Sequence, residues 1–192
     1  MEYQRKRIVD IIEDNDLYKT RIKVYSEDNK RDIAIFEIFN NTGVRVSELC
    51  SIHIEDVKFT DGQKKATLVV YVGKGRRYRE VPLNNDARKA IIEYLAVRPI
   101  SGEPFLFIGE RGPLTRNGVY RILNKYAYHA KIESLHPHML RHKFAHRLIN
   151  NGVPESTVGE LLGHQDPNST RVYTSPTQKD KERAVESINS LD

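Results

Sequence analysis

Two short runs rich in β-forming residues, 66–72 and 78–82, flank Gly73-Lys74-Gly75, and they stand alone in a chain whose other apolar segments repeat at helical spacing. Such a pair, joined by a glycine-containing turn, forms an antiparallel hairpin. Before it, Ile33, Ile35, Phe36, Ile38 and Phe39 mark a buried helix over 32–40 that breaks at Gly43, and a second helix runs from about Arg45 to Ser51. After it, Ala90, Ile91, Tyr94 and Leu95 place a helix over 84–97 capped by Asn84 or Asn85. Val119, Ile122, Leu123 and Tyr126 place another over 115–130, with Thr115 as cap. A helix over 138–150 ends by Gly152, and Pro154 suits the first turn of one that stops at Gly163. Weaker patterns predict a short helix from Arg5 to Ile12, a loop over 15–30, a short helix capped by Asn168 or Ser169 that carries Val172 and Tyr173, and an amphipathic segment over 177–190 with Ala184, Val185 and Ile188 on one side. The expected fold class is mainly α with a small antiparallel β-sheet (α+β).

A length of 192 residues suits one domain. No apolar run approaches a membrane span, the N-terminus lacks an apolar signal core, and the lone Cys50 cannot form an internal disulfide, so a cytoplasmic protein with no membrane partner is expected. The net charge of +5 says little, but its distribution says more. Residues 63–89 carry a net +6 and residues 111–147 a net +7, so the remainder is acidic. Five of the seven histidines lie in the second block. This concentration is the electrostatic footprint of a phosphate-binding face, although two solvated basic surfaces would give the same count.

Four constellations could carry chemistry. Gly43 leaves Arg45 near the start of a helix, where free N–H groups favour an anion; pairing of Arg45 with Glu48 one turn on explains it equally well. Lys74 sits between two glycines at a hairpin tip, followed by Arg76, Arg77 and Arg79; this is either a ligand-approaching lysine or a charged turn guarding a sheet edge. His138, His142 and His146 recur every four residues, which invites a zinc reading, but Arg141, Lys143 and Arg147 crowd the same helix with no carboxylate or cysteine in the cluster, and cations attract a phosphate rather than a metal. His164 lies just past a helix end, where the dipole stabilises an imidazolium, and Tyr173 nine residues later is either core or functional.

In order, these residues read Arg, Lys, His-x-x-Arg, His, Tyr. With the stretches NTGVRVSEL (41–49), VGKGRRYREVPL (72–83), HPHMLRH (136–142) and LLGH (161–164), the chain resembles the tyrosine recombinases, the phage-integrase family, from about Arg31 to Tyr173. The resemblance implies the integrase-like catalytic domain fold, with a lead-in over 1–30, a catalytic core over 31–174, a C-terminal tail helix over 175–192, and no N-terminal core-binding domain. It implies a site-specific DNA recombinase or integrase of bacterial, phage or mobile-element origin. Such an enzyme cleaves and rejoins DNA through a 3′-phosphotyrosyl intermediate, without metal, ATP or other cofactor, as in integration, excision or inversion of mobile DNA.

On that resemblance Tyr173 is the nucleophile, Arg45 and Arg141 hold the non-bridging phosphate oxygens, His164 adds a hydrogen bond, Lys74 is the general acid, and His138 accepts the tyrosine proton. Glu48 supports this set, while Arg76, Arg77, Arg116, Lys125 and Lys143 hold neighbouring phosphates. Lys143 stands where the family often has a small hydroxyl residue. The implied partners are a double-stranded DNA recombination site and, through the tail, other recombinase protomers, with a monomer expected without DNA. The alternatives are type IB topoisomerase-like strand relaxation, a non-catalytic DNA-binding accessory protein on the same fold and, more remotely, a zinc hydrolase.

Overall fold

A computed structural model describes residues 11–71 and 77–163. Its centre is α2 (Lys30–Thr42), in which every residue from Asp32 to Thr42 is buried. A helix buried on all faces must be covered on several sides. Here α1 (Asp14–Ser26), α4 (Asn85–Val97) and α6 (Pro137–Asn150) pack around it, and α5 (Arg116–Ala130) lies against α1. Phe36, Phe39, Leu49, Ile91, Leu106, Phe107, Leu123 and Tyr126 are among the fully buried side chains of the core.

Asn84, of the two candidates Asn84 and Asn85, and Thr115 accept from the N–H groups of Ala87 and Gly118 and so cap α4 and α5. The hairpin is present as β2 (Lys65–Tyr71) and β3 (Tyr78–Pro82), paired antiparallel from Thr67 opposite Pro82 to Tyr71 opposite Tyr78. Its tip, with Lys74 and Arg76, lies outside the described residues, as do Arg5–Asp10, His164, Tyr173 and the whole tail.

Two expectations need correction. Residues 15–30 are not a loop: α1 occupies Asp14–Ser26, because Leu17, Thr20 and Val24 bury one face and Asp14 and Asp16 suit the first turn. That stripe is too sparse in apolar residues to stand out as periodic. The sheet also has three strands, since β1 (Val57–Thr60) pairs with β2. A second two-stranded ladder, β4 (Ile108–Gly109) with β5 (Gly112–Pro113), is too short to leave a sequence pattern.

The last described helix, α7 (Glu155–Leu162), ends on Gly163 with φ +67°, and a smaller apolar cluster of Phe144, Ala145, Val158 and Leu162 joins it to α6. No helix among the described residues is long and apolar enough to cross a membrane.

Candidate functional site

The site is built around the break between α2 and α3 (Val46–Ser51). Gly43 takes φ +63° there, and a Cβ at this position would lie 2.6 Å from Phe144 Cδ1 and 2.7 Å from Leu162 Cδ2. Only glycine allows both the turn and the close approach of α6 and α7.

Arg45 follows as the N-cap of α3, in extended backbone geometry. Its N–H donates to Glu48 Oε2 at 2.7 Å and its Nη1 to Glu48 Oε1 at 2.9 Å. A glutamate at the third helical position normally reaches back in this way to an N-cap backbone N–H. The pairing with Glu48 and the exposure toward a ligand therefore coexist, for the Arg45 side chain remains 38% exposed.

Arg141 on α6 is buried at 3% exposure. It donates Nη1 to Gly43 O, and Nη2 to Leu162 O at 2.8 Å. One guanidinium thus ties the turn before Arg45 to the end of the helix before His164. His138, one turn earlier on α6, has its pKa lowered by burial and by the positive charges of His136, Arg141 and Arg45. The imidazole is therefore neutral near pH 7 and able to accept a proton. Arg45, His138 and Arg141 are brought together at one corner.

Arg79, in sequence only one of the basic residues that follow Lys74, also belongs to the site. It donates Nη1 to Glu48 Oε1 and Nη2 to Glu48 Oε2, each at 2.9 Å, and Nε to Leu161 O at 2.8 Å. A Cβ on Gly163 would lie 2.7 Å from its Nη1, so Gly163 closes over the guanidinium. The available signal was the period of two in β3, which puts Arg79 on the same face as the buried Val81. Glu48 is itself buried. Burial pushes its pKa up, but the hydrogen bonds from Arg79 and from the Arg45 backbone, with both arginine charges, hold the carboxyl below its ordinary value.

The proposed phosphate-contacting residues divide. Arg77 and Arg116 are exposed. Arg116 lies near Cys50 on α3, whose thiol burial pushes up to about 11 against the opposing arginine charge. Beside it a cavity of about 430 Å3 is lined by Arg31, Arg111 and Arg121 together with Glu110 and Thr115.

Lys125 is instead directed inward, to Glu27 Oε2 at 2.7 Å and Asp32 Oδ2 at 3.4 Å. Lys143 is 8% exposed and pairs with Asp14 at 2.8 Å. His138 and His142 have ring centroids 6.4 Å apart, and among the described residues no three His, Cys, Asp or Glu side chains are grouped to hold a metal ion.

The chain is similar in sequence and in fold to known proteins. The chain is 38% identical over 166 residues to tyrosine recombinase XerC of Thermodesulfovibrio yellowstonii, a match covering 80% of this chain and 54% of that protein. A crystal structure of XerA recombinase superposes with a TM-score of 0.83 at 26% identity, over 93% of this chain and 64% of that one. XerH site-specific recombinase bound to difH substrate, in a pre-cleavage complex, gives 0.74 at 27% identity, over 91% and 53%. The chain therefore spans little more than half the length of the relatives it matches. The model of the phage integrase family matches residues 4–180, nearly the whole sequence, and the chain belongs to that family.

Proposed function

We propose that this chain carries the catalytic centre of a site-specific DNA recombinase. The observation that supports it best is the corner at Gly43, where Arg45 and Arg141 gather around a neutral His138. Two guanidiniums suit a phosphodiester, which is anionic and gains further negative charge in its five-coordinate transition state.

In this reading the Tyr173 oxygen attacks the scissile phosphorus and its proton passes to His138. A P–O bond forms to tyrosine while the P–O5′ bond breaks, and Lys74 protonates the departing 5′-oxygen. The products are a 3′-phosphotyrosyl link and a free 5′-hydroxyl. A 5′-hydroxyl of a partner strand then attacks the same phosphorus and releases tyrosine, so bond energy is conserved through two transesterifications. His164 adds a hydrogen bond to the phosphate. Arg76, Arg77 and Arg116 hold neighbouring phosphates, whereas Lys125 and Lys143 stay with their carboxylates, Glu27 and Asp14. The XerH relative was captured on its own DNA substrate, which suits a double-stranded recombination site as the partner here.

The test is a pool of DNA duplexes randomised around a nick, which traps the covalent intermediate by letting the short cleaved strand diffuse away. Adduct should form with the native chain and vanish in Tyr173→Phe; an adduct that persists in that variant overturns the nucleophile assignment. Adduct formation should hold from pH 8 down past the ordinary histidine value of about 6.5, because His138 titrates lower. Without DNA the chain should sediment as a monomer, with the segment 175–192 joining protomers only on DNA.

A further inference from the structure

The charge count around Glu48 has a consequence for the phosphate. Glu48 is one carboxylate shared by two guanidiniums, those of Arg45 and Arg79. Were Arg79 absent, Arg45 and Glu48 would form a neutral pair, and the field that Arg45 presents to an anion would be largely cancelled at the distance of its own partner. With Arg79 present the triad carries a net positive charge.

The excess is also directed. Arg79 is 8% exposed in its side chain, and each of its three guanidinium nitrogens donates within the protein, Nη1 and Nη2 to Glu48 and Nε to Leu161 O. Arg45 is 38% exposed, and among the described residues Glu48 is its one side-chain partner. Among the described residues no other acceptor takes its remaining N–H donors.

We propose that Arg79 is a positioning residue for the strand-transfer reaction: it neutralises Glu48 and thereby leaves the charge of Arg45 available to the scissile phosphate. The bond to Leu161 O extends the same effect to α7, where Arg141 takes the next carbonyl, Leu162 O. Two buried arginines from β3 and α6 thus fix the turn that leads to His164. The inference rests on Arg45 being a phosphate ligand, as proposed above.

A charge cycle tests it on the 192-residue chain, with the randomised nicked duplex pool as probe. Arg79→Gln should slow adduct formation by about 10²-fold, the scale of one lost electrostatic contribution at such a site. Glu48→Gln in that background keeps the helix cap, since glutamine serves in a capping box, but removes the uncompensated negative charge. It should restore the rate at least tenfold.

A merely structural role predicts the opposite, because the double variant loses more bonds than the single one. A double variant as slow as Arg79→Gln, or slower, overturns the inference, provided both retain the native far-ultraviolet dichroism. If Arg79→Gln does not fold, Arg79→Lys replaces it: keeping the charge while losing the paired geometry, it should lose less than tenfold, and a loss of 10²-fold or more overturns the inference. Failure of the native chain to form any adduct sinks the proposed function instead, so the two failures are distinct.

Discussion

Two buried glutamates show how differently this chain treats a carboxylate. Glu37, fully buried in α2, accepts from Arg21 Nε at 2.7 Å, from Tyr25 Oη at 3.0 Å and from Asn41 Nδ2 at 2.7 Å. Arg21 also reaches Asp86 at 2.7 Å, so there two carboxylates share one guanidinium. At Glu48 two guanidiniums share one carboxylate. The first hub joins α1, α2 and α4 through an arginine that is itself 39% exposed, and it leaves an anion over. The second leaves a cation over, on an arginine that solvent can reach. Burying an ion pair is a poor route to stability, whereas removing one partner of a buried pair is costly. The surplus at Glu48 therefore reads as a device for binding, and the deficit at Glu37 as one for holding helices in place.

The sharpest way to break this contrast is Glu37→Ala. It empties the space of a fully buried side chain and removes its bonds from Arg21, Tyr25 and Asn41, although Arg21 keeps Asp86 and Asn41 keeps Glu37 O, and the cavity should cost about 3 kcal/mol, seen as a lower urea midpoint with unchanged slope. In buffer where the variant is folded, adduct formation should stay within about twofold of native. A tenfold slower reaction would mean that the two hubs are coupled through α2.

Gly43→Ala tests the site side. Forcing a side chain into the left-handed conformation, against Phe144 and Leu162, should cost about 2 kcal/mol. Unlike Glu37→Ala it should also slow adduct formation, because Gly43 O is a partner of Arg141. Normal kinetics in a destabilised Gly43→Ala would separate the turn from the reaction.

How much of this was legible follows from the range of each signal. Caps and stops are local, so Asn84, Thr115, Gly43 and Gly163 could be read directly, and the helices they bound came out within a residue or two. The fold class and the family resemblance rested on such local signals. α1 escaped because its buried face offers only Leu17, Thr20 and Val24, while Tyr18, Ile22 and Tyr25 stay exposed and blur the period. Within the site, Arg45 and Glu48 are one helical turn apart, so their pairing is visible in sequence. Arg79 meets Glu48 from 31 positions away and Leu161 from 82, so although the alternation in β3 turns it inward, nothing local names its partners. The inward turn of Lys125 was hidden for the same reason, since Glu27 and Asp32 lie more than ninety residues before it.

That difference among the basic residues gives a smaller prediction. Arg116→Ala should leave stability unchanged within about 0.5 kcal/mol and lower the salt dependence of DNA binding by about one unit of slope. Lys125→Ala should do the reverse, costing about 1 kcal/mol through the lost tie between α1, α2 and α5 while moving the salt slope less. Equal slopes for the two variants would show that Lys125 leaves its carboxylates when DNA arrives.

The smallest expected effect is the most specific to Glu48. Its folded-state pKa lies below the ordinary glutamate value, because the Arg79 and Arg45 bonds and charges outweigh the upward push of burial. A carboxyl depressed on folding contributes stability that is fully present above the unfolded value, about 4.3, and is lost as pH falls through the lower folded value. Urea midpoints of the native chain should therefore decline below about pH 4.3. In Glu48→Gln the decline should be shallower, since that proton no longer binds, while the retained cap keeps the helix start intact. If the acid decline is identical in both proteins, Glu48 is not held ionised by its two arginines, and the surplus charge assigned to Arg45 loses its physical basis.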